Sequence, residues 1–250
     1  MKKFSLKGLP AETKLLLRSI PAPIAATFIV AIISMNLLAN KGVQLPISWL
    51  VVDCGFIVSW LVFLTNDIVV KRFGPRAATI LSVVSLLENL GICLIFYLCS
   101  LVPGMWGESY AVEGYEAIIN TALDNTFGGT WYVLMGSSIA FLVSSVVNNF
   151  LNYALGKKLG KNQGFGKFAF RSFVSTFIGQ FVDNMLFALI VSMNFFGWTL
   201  PQCVLCAATG AIAELLCEVI FAPIGYKVSK AWERDGVGKE YIEKYGPDVA

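Results

Sequence analysis

Residues 167–196 read KFAFRSFVSTFIGQFVDNMLFALIVSMNFF, and this stretch decides the fold class. It is long enough to cross a bilayer, whose hydrocarbon core takes about 20 residues of helix. Wound as a helix, it puts Ser172, Ser175, Thr176, Gly179, Gln180, Asp183 and Asn184 on one face, by i, i+3, i+4, i+7 spacing. Phe173, Val174, Phe177, Ile178, Phe181, Val182, Met185 and Leu186 take the other face. A lipid-facing helix has no use for an Asp beside an Asn at mid-depth, where a carboxylate costs roughly 2.5–3.5 kcal/mol. Two arrangements offset that cost: hydrogen bonds between helices of a bundle, or the wall of a polar substrate cavity. Other stretches of the chain repeat the pattern, which favours the cavity.

The composition agrees with a membrane location. The chain has 250 residues, 56% hydrophobic and 14% charged, with mean hydropathy +0.70. A soluble domain carries about 25% charged residues, so the expectation is an all-α integral membrane protein. Apolar runs of spanning length cover 20–39, 47–70, 77–102, 130–156, 167–196 and 201–228, which makes six transmembrane helices over 20–228. Residues 1–19 precede them and 229–250 follow as a polar tail. The first 19 residues do not read as a signal peptide, since Pro10, Glu12, Lys14 and Arg18 interrupt them. Within them, AETKLLLRSI reads as a short interfacial amphipathic helix.

The basic residues orient the chain. They fall at Lys2, Lys3, Lys7, Lys14 and Arg18; at Lys71, Arg72 and Arg76; at Lys157, Lys158, Lys161, Lys167 and Arg171; and at Lys227, Lys230, Arg234, Lys239 and Lys244. Only Lys41 lies in a loop of the other parity. By the positive-inside rule both termini are cytoplasmic, in a multi-pass protein of the inner or plasma membrane. The loop 103–129 fits the outer side: it holds Glu108, Glu113, Glu116 and Asp124 and no basic residue. Its middle, YEAIINTAL, reads either as an amphipathic helix over the outer mouth or as a plain connector. The Gly128–Gly129 pair would turn the chain into the fourth span.

No Lys or Arg sits in the middle of a span, yet Asp53, Asp67, Glu88, Asp183, Glu214 and Glu218 all fall inside spans. These acids have no deep basic partner; the exception is Asp67 or a neighbour near the cytoplasmic edge, which Lys71 or Arg171 could reach. The acids must therefore be protonated, hydrated in a cavity, or matched to a ligand that donates hydrogen bonds or carries positive charge. Glu214 and Glu218 are four apart on a helix, so they face one way and repel if both ionise. That makes them candidates for carrying a proton, or else a neutral, hydrogen-bonded structural pair. Glu88 is a candidate for ligand or proton binding.

The remaining spans add amides and hydroxyls. The first starts with small residues, Ala22, Ala25 and Ala26, which permit close helix contact, and carries Asn36 near its outer end. The second holds Asn66–Asp67 and is stopped by Gly74–Pro75. The third places Ser82, Ser85, Glu88 and Asn89 on neighbouring faces. The fourth has Ser145, Asn148, Asn149 and Asn152 in one stripe, either interhelical glue or a ligand wall. The sixth carries Pro223, expected to kink or end it. Asn66–Asp67 and Asp183–Asn184 sit in the middle spans of two three-span halves, as an inverted repeat would place them.

Chemistry of other kinds has little to stand on. His is absent, which removes the commonest general base and metal ligand. Cys54, Cys93, Cys99, Cys203, Cys206 and Cys217 all lie in apolar runs, and Cys203-x-x-Cys206 has no second pair. There is no phosphate loop, no HExxH and no GxSxG. An enzyme is disfavoured, no metal or other cofactor is called for, and nucleic acid is not an expected partner because the basic residues are topological.

Set together, these motifs resemble the queuosine-precursor transporter family, also called the vitamin uptake transporter family. The resemblance rests on Asn36, on FLTNDIVVKRFG at 63–74, on Asn149-x-x-Asn152 and on STFIGQFVDNMLF at 175–187, and covers most of residues 30–228. The chain departs from the family pattern at 129–132, where Gly-Thr-Trp-Tyr replaces an expected Arg. It departs again at Asn152, which replaces an Asp, and in the sixth span, where Glu214 and Glu218 stand near an expected Lys. The resemblance implies the six-helix fold of substrate-binding components of energy-coupling-factor transporters. It also implies uptake of a 7-deazaguanine-type base or queuine, whose donor-rich edge suits carboxylate and amide acceptors.

The reading is then an importer of a small nitrogenous, purine-like substrate, proton coupling included. Asp67, Asn149, Asn152, Gln180, Asp183, Asn184 and Glu88 are the substrate-binding candidates, and Glu214 and Glu218 the proton-coupling ones. The alternative is a vitamin-binding component that docks, through its small-residue first span, on a separate ATPase module. The partners so implied are the substrate, the lipid bilayer, and either that ATPase module or further copies of the chain.

Overall fold

A computed structural model describes residues 8–43, 52–107, 113–128, 131–160, 164–195 and 197–246. Nearly all of them are helical: α1 (Leu9–Ser19), α2 (Ala22–Leu38), α3 (Phe56–Phe73), α4 (Pro75–Ser100), α5 (Glu116–Gly128), α6 (Trp131–Leu159), α7 (Phe165–Phe187), the short α8 (Met193–Phe195), α9 (Leu200–Arg234) and α10 (Lys239–Tyr245). A π-helical turn, Ala188–Ser192, follows α7. Two short strands, β1 (Gly42–Val43) and β2 (Val52–Asp53), pair antiparallel between α2 and α3.

Local chemistry sets the breaks. Gly74 has φ +89°, a conformation that Gly adopts without a Cβ penalty, and Pro75 opens α4 with its fixed φ. α9 starts with Thr199 at the N-cap and Pro201 in the first turn, and the Gln202 side chain accepts from the Thr199 backbone N–H at 2.8 Å. Pro223 was expected to kink or end this helix. It does not end it: α9 runs on to Arg234.

Four helical stretches are long and apolar enough to cross a membrane: Pro75–Ser100, one ending at Leu159, Phe165–Ser192 and Leu200–Arg234. α1 and α2 make a fifth if taken as one bent pair, but they meet at 109°. α2 has 17 residues, and α3 carries Asp67, Lys71 and Arg72 within its 18, so neither meets that standard alone. The second apolar run was expected to be helical from 47. Residues 44–51 lie outside the described residues, Val52–Asp53 is a strand, and the helix starts at Phe56.

In the bundle, α7 lies between α6 and α9, and α3 packs on α2, α4, α6 and α9. An apolar core of Phe28, Ile32, Val62, Phe63, Val69, Leu81 and Phe141 joins α2, α3, α4 and α6. α5 does form from YEAIINTAL, but it packs along α4 rather than over a mouth. The Trp106 backbone N–H donates to Asn120 Oδ1 and its indole N–H to Asp124 Oδ1, both at 2.7 Å, and Phe127 stacks on Trp106. Gly129 is outside the described residues.

The first and last of the described helices fold onto each other. α10 packs against α1. Glu12, 1% exposed, accepts from Arg76 Nε at 2.8 Å and Nη2 at 2.5 Å, and from Tyr241 Oη at 3.1 Å. The Phe73 ring meets Trp232 and Tyr241 edge-on. Burial, and then the Glu12 carboxylate beside it, push the Tyr241 phenol above its ordinary value.

Candidate functional site

Polar side chains fill the bundle in two tiers. The first surrounds a cavity of about 50 Å³ between α2, α3, α6, α7 and α9, near the end where α2 finishes and α3 begins. Asn36, Ser59, Ser137, Asp183, Asn184 and Glu214 line it, with Phe56 and Phe187 as aromatic walls. Ser144 Oγ donates to Asp183 Oδ1 at 2.7 Å, Ser59 donates to Glu214, and Ser137 donates to Asn36 Oδ1. The Asn36 amide is held in turn by the Ile32 carbonyl at 2.9 Å. A Cβ at Gly210 of α9 would sit 2.6 Å from Asn184 Nδ2, so a glycine there is what admits the Asn184 amide.

The π-helical turn sits just beyond this tier. A wide turn leaves carbonyls without their usual partners, and here side chains supply them. Tyr132 Oη donates to the Ile190 carbonyl at 2.8 Å, Asn194 Nδ2 to the Leu189 and Ile190 carbonyls, and Cys203 Sγ to the Ala188 carbonyl at 3.7 Å. The turn thereby fixes Phe187, which it follows directly, against the cavity.

The second tier lies deeper, toward the end that carries the termini. Asp67 accepts from Asn148 Nδ2 at 3.1 Å and touches Ser172 Oγ. The same Ser172 oxygen lies 2.5 Å from Glu218 Oε1. Asn66 Nδ2 donates to Ser145 at 3.1 Å, Ser82 and Ser145 share a bond of 2.6 Å, and Asn152 Nδ2 donates to Ser175 at 3.2 Å. Gln180, fully buried, stands on α7 between the tiers. Neither end of its amide has a hydrogen-bond partner among the described residues.

The expected site residues therefore divide. Asp183, Asn184 and Glu214 meet in the cavity. Asp67 and Glu218 meet in the deeper tier, with Asn152 near them and Asn149 turned to Thr79 at 3.3 Å. Glu88 is exposed on α4, apart from both tiers. Glu214 and Glu218 share a face, as their spacing requires, but each takes a hydroxyl from a different helix: Ser59 of α3 and Ser172 of α7. Asp67 was the deep acid that Lys71 or Arg171 was expected to reach, and Arg171 does. Arg171 is 5% exposed and acts electrostatically on Asp67, because α7 turns it inward, beside Gly156. The Asp53 side chain lies outside the described residues. The sequence alone does not single out Ser59, Ser137 and Ser144, since a serine in an apolar helix carries no signal of what it will face.

Two tiers of acids, amides and hydroxyls inside apolar helices define a membrane protein with a polar interior, since only a bundle interior or a cavity tolerates them. Residues 53–228 match the family model described as "Putative vitamin uptake transporter", and the chain belongs to this family. It is a membrane uptake transporter for a small molecule. No curated protein and no solved structure matches it.

Proposed function

We propose that this transporter imports a purine-like base of the 7-deazaguanine type, such as a queuosine precursor, through six spans of the inner membrane with both termini cytoplasmic. One observation carries the reading: Asp183, Asn184 and Glu214 converge on one cavity flanked by Phe56 and Phe187. Acceptors on one side suit the donor-rich edge of such a base, and aromatic rings suit its flat faces. A ligand site for a molecule of that size holds roughly 300 Å³ or more. The 50 Å³ found here takes a few waters, so the conformation is a closed one. Binding has to move Asn184, Phe187 or the α7–α9 contact.

The test is uptake of radiolabelled queuine by cells carrying Asp183→Ala. We expect uptake to vanish while membrane expression stays intact. Normal uptake would refute the role of Asp183. A thermal-shift screen of the purified chain against deazapurines, purines and vitamins decides the substrate class, with deazapurines expected to give the largest shift.

A second reading has its own observation. Ala26, Thr27, Ala31, Ser34, Val58 and Leu61 line a shallow groove on α2 and α3, a face of small residues on which a separate ATPase module would dock. Uptake by the isolated chain in liposomes without ATP excludes that arrangement.

A further inference from the structure

The deeper tier presents an imbalance that two independent arguments resolve in the same way. The first is a count of hydrogens. Ser172 Oγ contacts Asp67 Oδ2 and lies 2.5 Å from Glu218 Oε1. A hydroxyl owns one proton and can donate to only one of them. The other contact closes only if a carboxyl donates to the serine. The second is a count of charge. Two carboxylates are enclosed here, at 0% exposure each. Among the described residues, the groups that face them are Arg171 of α7, which acts on Asp67, the neutral amides of Asn148 and Asn152 on α6, and the neutral Thr176 hydroxyl of α7, which acts on Glu218. Lys71 of α3 is turned away, over the Phe168 and Tyr226 rings, and Glu214 of α9, a turn from Glu218, is bound by Ser59. One guanidinium against two carboxylates leaves one negative charge, too costly to enclose uncompensated. A single proton cancels it.

We propose that Asp67, Ser172 and Glu218 together hold one transferable proton, and that transport runs by loading and releasing it. The ligand is a proton and not a metal ion, because the serine oxygen sits directly against both carboxyl groups. Oδ1 of Asn148, whose amide nitrogen holds Asp67, has no partner among the described residues and is an acceptor beside the same group. On release, the proton passes from the carboxyl to water, and two carboxylates then face each other across Ser172, whose one hydroxyl proton can bind only one of them. Asp67 is on α3, Ser172 on α7 and Glu218 on α9, so the three helices lose their shared tie at the end carrying the termini. α7 and α9 also carry Asp183, Asn184 and Glu214, so opening there and the state of the cavity are mechanically linked. The transport half of the proposal rests on the reading of the cavity as the substrate site; the proton site does not.

Infrared spectra of the purified full-length chain test the proton directly. The difference between wild type and Glu218→Gln, and between wild type and Asp67→Asn, should each show the loss of one protonated-carboxyl band. Either change leaves one carboxylate against Arg171, with no need of a proton. No such band in wild type, or its persistence in both variants, overturns the site. One folded variant is enough for the comparison. In proteoliposomes, an inward gradient of about one pH unit should raise queuine accumulation up to about tenfold in wild type and leave Glu218→Gln unstimulated. Stimulation that survives in Glu218→Gln, or that follows a sodium gradient instead, overturns the coupling. If queuine is not carried at any pH, the substrate reading fails, while the infrared bands still decide the proton.

Discussion

Glu12 shows what a single enclosed carboxylate does where the first and last described helices meet. It holds α1 to α4 through two bonds from Arg76 and to α10 through one from Tyr241. The Arg76 side chain is 33% exposed, so solvent reclaims part of what it loses when Glu12 goes. We expect Glu12→Ala to cost about 2 kcal/mol, the scale of a lost charged hydrogen bond, read as a lowered denaturation midpoint. Tyr241 adds a pH dependence. Its phenol titrates higher in the fold than in the unfolded chain, because burial and Glu12 disfavour the ionised form. Its contribution is therefore complete below the unfolded value of about 10 and fades as pH rises above it. Thermal stability should fall above that pH more steeply in wild type than in Tyr241→Phe; parallel slopes would remove Tyr241 from the account. At this scale the sequence was only partly readable. Asp183 and Asp67 announce themselves because an acid in an apolar run is rare. Ser172 announces nothing more than Ser175 does, and only packing makes one of them the bridge between two carboxyl groups.

Among the elements, α7 was the most readable and also the most incomplete on paper. Its polar stripe emerged on one face, as the spacing required, and that face turned inward to α6 and α9. Gly179 belongs to the stripe for a different reason from its neighbours. A Cβ there would come within 2.8 Å of Phe63 and 3.0 Å of the Asn148 Cβ, so its bareness sets how closely α7 approaches α3 and α6. We expect Gly179→Val to destabilise the fold by about 1–3 kcal/mol through overpacking, seen as a lower thermal midpoint. Because Asn148 is displaced in the process, the Asp67 contact should weaken with it. An unchanged midpoint would mean that the helices part freely. The π-helical turn was not readable at all: Ala-Leu-Ile-Val-Ser is an ordinary apolar run, and what permits the wide turn is Asn194 just past it, with Tyr132 and Cys203 arriving from α6 and α9. Pro223, expected to kink or end α9, does not end it, for the converse reason. A proline removes one donor from the ladder, but neighbouring helices can keep the rest of it in place, and here Trp60 of α3 stacks on Phe221 at 4.3 Å beside it.

For the molecule as a whole, the tiers and the charge pattern have to agree on a direction. The proposed orientation, read from the basic residues, has both termini in the cytoplasm. The cavity lies at the far end of the bundle from α1 and α10, and the shared proton lies between them, so solute would enter from outside and leave past Asp67 and Glu218. Cys206 makes this testable, since it lines the cavity while Cys203, a turn before it, is buried against Ala188. In a variant that keeps Cys206 and replaces the other five cysteines, a small membrane-impermeant thiol reagent applied to intact cells should modify the protein. Because the cavity holds about 50 Å³ when closed, modification has to wait for opening, and should therefore be slow and slower still with queuine present. The same reagent applied only from the cytoplasmic face of inverted vesicles should react far less. If the two faces exchange their rates, the positive-inside orientation is reversed, and the deeper tier becomes the entrance.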